Sequence, residues 1–262
     1  MRYKRVAKED LSTGVARELR SAILTGAHQP GELLAPEREL AAQFGVDRHT
    51  LRSALSELEQ LGLVQRRQGS GCRVLDFRET GTLDLIKFLV VKPGTDEIDL
   101  TMVAPVMEVG RVTLQGLMDL VVERADNDDL AAMRAELEAL SDAVAEGADA
   151  HTIIDSERRF FRAVFRGTHS LVAELLANTF DQIFDAAIDP EGRVRLHWDD
   201  VLVSSGRLDA YRRVVETIEH RDAAEARNLL GVIVGSIPAA VATAVAQPTG
   251  RRPRQRRHAG SG

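Results

Sequence analysis

Apolar residues along the first 75 positions change spacing twice. Leu11, Val15, Leu19 and Ile23 recur every fourth residue and stop before Gly26, which predicts an amphipathic helix of about four turns. After the short run GELL, Pro36 stands where a helix accepts its first residue, and Glu37 and Glu39 place negative charge beside unpaired N–H groups. That helix, PERELAAQF, ends at Gly45. Asp47 is then placed to cap a third helix, DRHTLRSALSELEQLG, whose Leu51, Leu55, Leu58 and Leu61 share an inner face and which ends at Gly62. LVQRR and CRVL, joined by QGSG, read as a hairpin. Beyond residue 79 the period stays helical and no further strand is expected. Helices are predicted over 82–91, 97–124, 127–146, 151–167, 170–188, 193–203, 207–220 and 222–245.

The chain is therefore expected to be mainly α, in three parts. Residues 1–78 form a winged helix-turn-helix, 79–246 an all-α effector-binding and dimerisation bundle, and 247–262 a disordered, Arg-rich tail. At 262 residues with 44% hydrophobic positions, both folded parts can bury a core. The single cysteine, Cys72, excludes an intramolecular disulfide framework or a cysteine-rich metal cluster and fits a reducing, cytoplasmic setting. The N-terminus lacks the apolar run of a secretory signal. Asn228–Gly250 carries no formal charge and precedes RRPRQRR, imitating a membrane anchor, but Ser236, Pro238 and Thr243 interrupt it, so a buried final helix is expected.

The net charge of −6 conceals an asymmetry. Residues 1–78 carry 13 Lys and Arg against 10 Asp and Glu, whereas 79–246 carry 16 against 30. A basic head on an acidic body fits a polyanion partner for the head alone. Within the head, Arg48, His49, Thr50 and Arg52 stand in the first turns of the third helix, opposite its leucines, where a recognition helix meets base edges. Arg38 lies on the preceding helix, where side chains clamp phosphates, and Gln68 and Gly69 at the hairpin tip suit a minor groove.

The run LLAPERELAAQFGVDRHTLRSALSELEQLGLVQRRQGSG resembles the DNA-binding domain of GntR-family bacterial transcription regulators. The resemblance implies operator DNA as partner, read by Arg38, Arg48, Thr50, Arg52 and the wing around Gln68 and Gly69. Asp47 departs from the usual Ser or Thr, and Cys72 from a common Thr. Over residues 79–240 the chain resembles the FadR subfamily, many members of which hold a metal through Asp or Asn and three His. Glu157, Phe161, Tyr211 and Ile233 fall on those positions, so the resemblance predicts no metal and no cofactor. The loss of three imidazoles points to an apolar effector, a fatty acyl-CoA or similar metabolite of lipid metabolism. By that likeness Phe161, Asn178, Phe184, Tyr211, Ile233, Gly235 and Ser236 line an acyl tunnel. Gly110 stands where an Arg meets the ligand in relatives, leaving Arg111 as the nearest guanidinium. A small organic acid is the alternative effector. No catalytic signature is present, the expected assembly is a homodimer on a near-palindromic site, and neither an enzyme nor a membrane-bound regulator is the leading expectation.

Overall fold

The computed structural model describes residues 11–67, 71–95, 97–188 and 206–236, with side chains in the ninth helix followed through Ile183. Helix α1 (Leu11–Leu24), α2 (Glu37–Phe44) and α3 (Arg48–Gln60) precede an antiparallel hairpin, β1 (Val64–Arg67) and β2 (Gly71–Val74), in register Val64 to Val74. Val15, Leu19 and Ile23 of α1 meet Leu51, Leu55 and Leu58 of α3 in one core, whereas Leu11 is exposed. The GELL segment joins the hairpin: Leu34 N–H donates to Cys72 O at 2.9 Å, and Val74 N–H to Glu32 O at 2.9 Å. This third strand-like contact escaped the sequence because it pairs residues about 40 positions apart.

Aspartate sets many of the helix starts. Asp47, Asp76, Asp99, Asp126, Asp149 and Asp222 each accept a backbone N–H in the first turn of the helix that follows. Part of the acidic excess is thus spent on otherwise orphaned donors. Gly62 ends the recognition helix at φ +72°, and a Cβ there would lie 1.9 Å from Thr80 O. Only glycine permits this approach, which is fixed by Thr80 Oγ1 donating to Gly62 O at 2.7 Å.

After a short α4 (Phe77–Thr80), the segment expected as one helix over 82–91 is instead two short pieces, a 3₁₀ turn (Leu83–Leu85) and α5 (Ile86–Leu89). Leu85 is buried in the head core, with Phe77, Phe88 and Leu89 packed on it, so the head's packing continues past the expected cut at residue 78. Val91 and Ile98 form an isolated antiparallel bridge, a β contact in the region read as wholly helical.

The body consists of α6 (Leu100–Arg124), α7 (Asn127–Ala145), α8 (Ala150–Arg166), α9 (Leu171–Ile188), α10 (Arg207–Glu219) and α11 (Ala223–Gly235) around a second core. Met118, Met133, Phe160, Tyr211, Val214 and Leu230 occupy its centre. No described helix is long and apolar enough to cross a membrane. The expected helix over 193–203, the end of the expected 222–245 helix and the Arg-rich tail lie outside the described residues.

Candidate functional site

On the head, the turn between α2 and α3 is built by Gly45 in the left-handed region and by Asp47 as N-cap. Asp47 accepts Thr50 N–H at 2.8 Å and the Thr50 hydroxyl at 3.2 Å. The backbone N–H of Thr50, first among the causes, holds the Asp47 carboxyl below the usual aspartate range. The carboxylate that departs from the family pattern is therefore absorbed by its own helix, and Thr50 is left to present its methyl group. With Leu51, Ala54, Leu55 and Leu58 buried, the turns between them put Arg48, His49 and Arg52 in solvent.

The basic residues then divide into two groups. Arg38 and Arg48 are exposed and have no hydrogen-bond or ionic partner among the described residues. Arg52 is exposed but pairs with Glu37 of α2 at 2.8 Å. Arg66 is structural: its guanidinium bonds Glu59 at 2.7 and 3.0 Å and Ser56 at 2.9 Å. Arg73 donates to Gly31 O at 2.6 Å. Gln68 and Gly69, expected at the wing tip, lie outside the described residues.

In the body, a cavity of about 160 Å³ opens between α6, α8, α9, α10 and α11. Leu114, Ile154, Phe161, Phe165, Leu230 and Ile233 form its apolar wall. Of the expected ligand residues, Phe161, Asn178 and Ile233 line it. Tyr211 is wholly buried behind the wall, its ring 5.4 Å edge-to-face from Phe161 and 5.2 Å from Phe160. Ser236 is half-buried and reaches the site only through an arginine, while Gly235 is exposed at the end of α11. Arg111 is not in the wall; it donates to Gln115 at 2.9 Å on α6. The Phe184 side chain lies outside the described residues.

The expectation of an apolar pocket needs correction. Glu157 and Arg207 line the cavity as a buried ion pair at 2.9 Å, and Arg207 is only 4% exposed. Arg207 Nε donates to the Tyr211 hydroxyl at 3.0 Å, Nη1 to Ser236 Oγ at 3.0 Å and to Ile233 O at 3.4 Å. The Tyr211 hydroxyl makes a short bond to the same Glu157 oxygen. Burial disfavours the charged guanidinium, but Glu157 and then Tyr211 outweigh it and hold Arg207 further into its protonated form. Burial, and then the Glu157 charge, push the Tyr211 phenol well above its ordinary value. Arg158, Arg162, Arg166, Glu174 and Asp181 add charge to the wall.

Sequence reasoning missed Arg207, although its signal was present. Arg207 and Tyr211 stand i, i+4 on one face of α10, and a carboxylate at 157 among apolar residues requires a cation.

Of the four positions that the resemblance aligned with a metal site, Glu157, Phe161 and Ile233 line the cavity and Tyr211 lies behind Phe161, but their chemistry does not suit a metal. Glu157 is the sole carboxylate of the four, imidazoles are absent, and a guanidinium stands against that carboxylate and would repel a divalent ion. Among the described residues, Asp126, Asp129 and His169 are the grouping close enough to hold an ion. Asp126 and Asp129 form the capping box that starts α7, and His169, from the turn before α9, lies with its Nε2 2.7 Å from Asp129.

Two family models match this architecture: "Bacterial regulatory proteins, gntR family" over residues 11–74, and "FCD domain" over 111–235. Together they cover well over half of the chain. The chain belongs to the GntR family. Among relatives of this GntR-family chain, the HTH-type transcriptional regulator Mce2R of Mycobacterium tuberculosis is 33% identical over 140 residues, 53% of this chain and 58% of that protein. An uncharacterised HTH-type regulator of the same species is 32% identical over 171 residues, 65% of this chain and 66% of that one. The Uxu operon transcriptional regulator of Escherichia coli is 25% identical over 215 residues, 81% of this chain and 79% of its own length. The matches thus span less than two thirds of the two mycobacterial proteins. A solved structure of Lar, described as controlling expression of the Listeria monocytogenes agr system, superposes with a TM-score of 0.56 at 16% identity, covering 93% of this chain and 99% of that one. That likeness is one of fold.

Proposed function

We propose that this GntR-family chain is a DNA-binding transcription regulator, acting as a homodimer, whose helical domain senses a small amphipathic metabolite. The observation that carries the DNA reading is the pair Arg38 and Arg48. They are exposed on neighbouring helices of a helix-turn-helix and unpartnered among the described residues, while nearby arginines are engaged within the protein. An arginine left unspent in this way is available to a phosphate or a guanine edge. Two heads on one two-fold assembly would read a near-palindromic site, because one winged helix makes few base contacts.

For the effector, the cavity supports a compact ligand. A space of about 160 Å³ is comparable to the roughly 150 Å³ cavity in which benzene sits. The apolar side chains of the wall favour a hydrocarbon body, which is what remains of the acyl-CoA expectation. The size favours a short acyl or aromatic group over a long chain, and the wall arginines favour an anion.

Selection of bound duplexes from a random pool, followed by titration of the complex with short and long acyl-CoAs, free monocarboxylates and dicarboxylates, tests this reading. A near-palindromic selected site and release by a short apolar acid are expected. Failure to enrich any sequence would overturn the regulator reading. Release by long-chain acyl-CoA alone would restore the acyl tunnel.

A further inference from the structure

The cavity wall is rich in charge. Arg158, Arg162, Arg166 and Arg207 line it beside Glu157, Glu174 and Asp181, and Arg158 pairs as well with Asp155 at 3.4 Å. Asp181 is shared between Arg158 at 3.2 Å and Arg162 at 3.6 Å. Arg166 is exposed and has no partner among the described residues. Arg207, at the inner end, carries five N–H hydrogens. Nε donates one to Tyr211, Nη1 donates to Ser236 and Ile233, and Nη2, with two hydrogens, donates to Glu157 alone. One N–H of a buried, permanently charged group therefore has no acceptor among the described residues, on a residue that forms part of the cavity wall.

We propose that Arg207 is the resident cation of this pocket, serving in place of a metal ion, and that the pocket takes a singly charged carboxylate with a compact apolar body. The proposal rests on the effector reading above and specifies its chemistry. One carboxylate completes the hydrogen bonding of this guanidinium. Its oxygen accepts the remaining Arg207 N–H, and its hydrocarbon lies against Phe161, Phe165, Leu230 and Ile233. A compact dicarboxylate would have to bury its second charge against the apolar wall, where the proposed ligand lays its hydrocarbon. Glu157 and Tyr211 are positioning residues: they hold the guanidinium plane by its Nε and Nη2 edges and do not themselves contact the ligand. Because the cation is covalently attached, binding is independent of any divalent ion.

The experiment uses the full-length chain after exhaustive chelation, with benzoate, hexanoate and succinate as probes in calorimetry and thermal-shift assays. Benzoate or hexanoate is expected to bind and raise the melting temperature equally with and without chelator, and succinate is not. Arg207→Lys, which keeps the charge but loses the planar donor set, should weaken binding by roughly tenfold or more. A double variant, Arg207→Met with Glu157→Met, removes both charges without leaving either unpaired. It should fold, keep DNA binding in the absence of ligand, and lose benzoate and hexanoate binding. Dependence on added zinc or manganese, unchanged affinity in the double variant, or binding of succinate alone would each overturn the proposal. So would the failure of all three probes, and if selected DNA is still bound the regulator reading survives that result.

Discussion

Arg48 on the head and Arg207 in the body are the same side chain under opposite conditions. Arg48 stands in solvent with no partner among the described residues, whereas Arg207 is 4% exposed and donates to four acceptors. A solvated guanidinium costs the fold little and can be offered to a polyanion many times over. A buried one is tolerated only while its partners remain in place, so it ties stability to the integrity of the pocket. The head thus separates recognition from folding, and the body combines them.

The sharpest way to break this contrast is to remove one member of the buried pair. Glu157→Ala leaves Arg207 charged without its carboxylate and should cost about 3–5 kcal/mol of stability in denaturant unfolding, whereas Arg48→Ala should leave the unfolding midpoint nearly unchanged. Comparable stability losses for both variants would erase the distinction. On the DNA side the order reverses. Arg48→Ala should cost about 1–3 kcal/mol on the selected site and relax preference at one base of each half-site. Arg38→Ala should weaken selected and random duplexes alike and lower the salt slope by about one. Equal losses on both kinds of DNA for Arg48 would make it another phosphate contact.

A smaller effect concerns acid. Backbone N–H bonds hold the carboxyls of Asp47, Asp126 and Asp149 below their ordinary value. Their contribution is complete above the unfolded aspartate value of about 3.9 and is lost as pH falls through the lower folded values. Asp47→Asn, which keeps a capping oxygen, should flatten the acid limb of the stability curve for the head while leaving the neutral-pH structure intact. The smallest change is at Cys72, whose thiol burial pushes up to about 11. It should label with iodoacetamide far more slowly at pH 8 than a free thiol; labelling at the free-thiol rate would show that the wing opens.

What the sequence made legible follows the range of the interactions. The recognition helix, its Asp47 cap and its leucine face depend on residues three or four apart, and all are present in the structure. The pocket depends on Glu157 meeting Arg207 across 50 positions and Tyr211 across 54, a pairing that no local period announces. Replacing three imidazoles by Phe, Tyr and Ile read as a gain of apolar character. The compensating arginine stands one turn before Tyr211 on α10 and sets a charge into that apolar wall. In the linker, the short apolar run 82–91 resembled a helix because its residues face two cores, a pattern that matches helical spacing over a few positions.

That linker sets how the two domains can move. Leu85, Phe88 and Leu89 belong to the head core, and Ile86, Val90 and Val91 to the body core, all within seven residues. Arg20 of α1 stacks 3.6 Å over the Phe88 ring and bonds Glu57 of the recognition helix at 2.9 Å, while α5 also packs against α9, which supplies part of the cavity wall. A rod keyed into two cores on opposite sides behaves as a splined shaft and not as a tether. It cannot rotate in one domain without turning or unseating the other, so the head is aimed by torque, and lengthening the linker by one residue would disturb that aim more than its added reach would suggest.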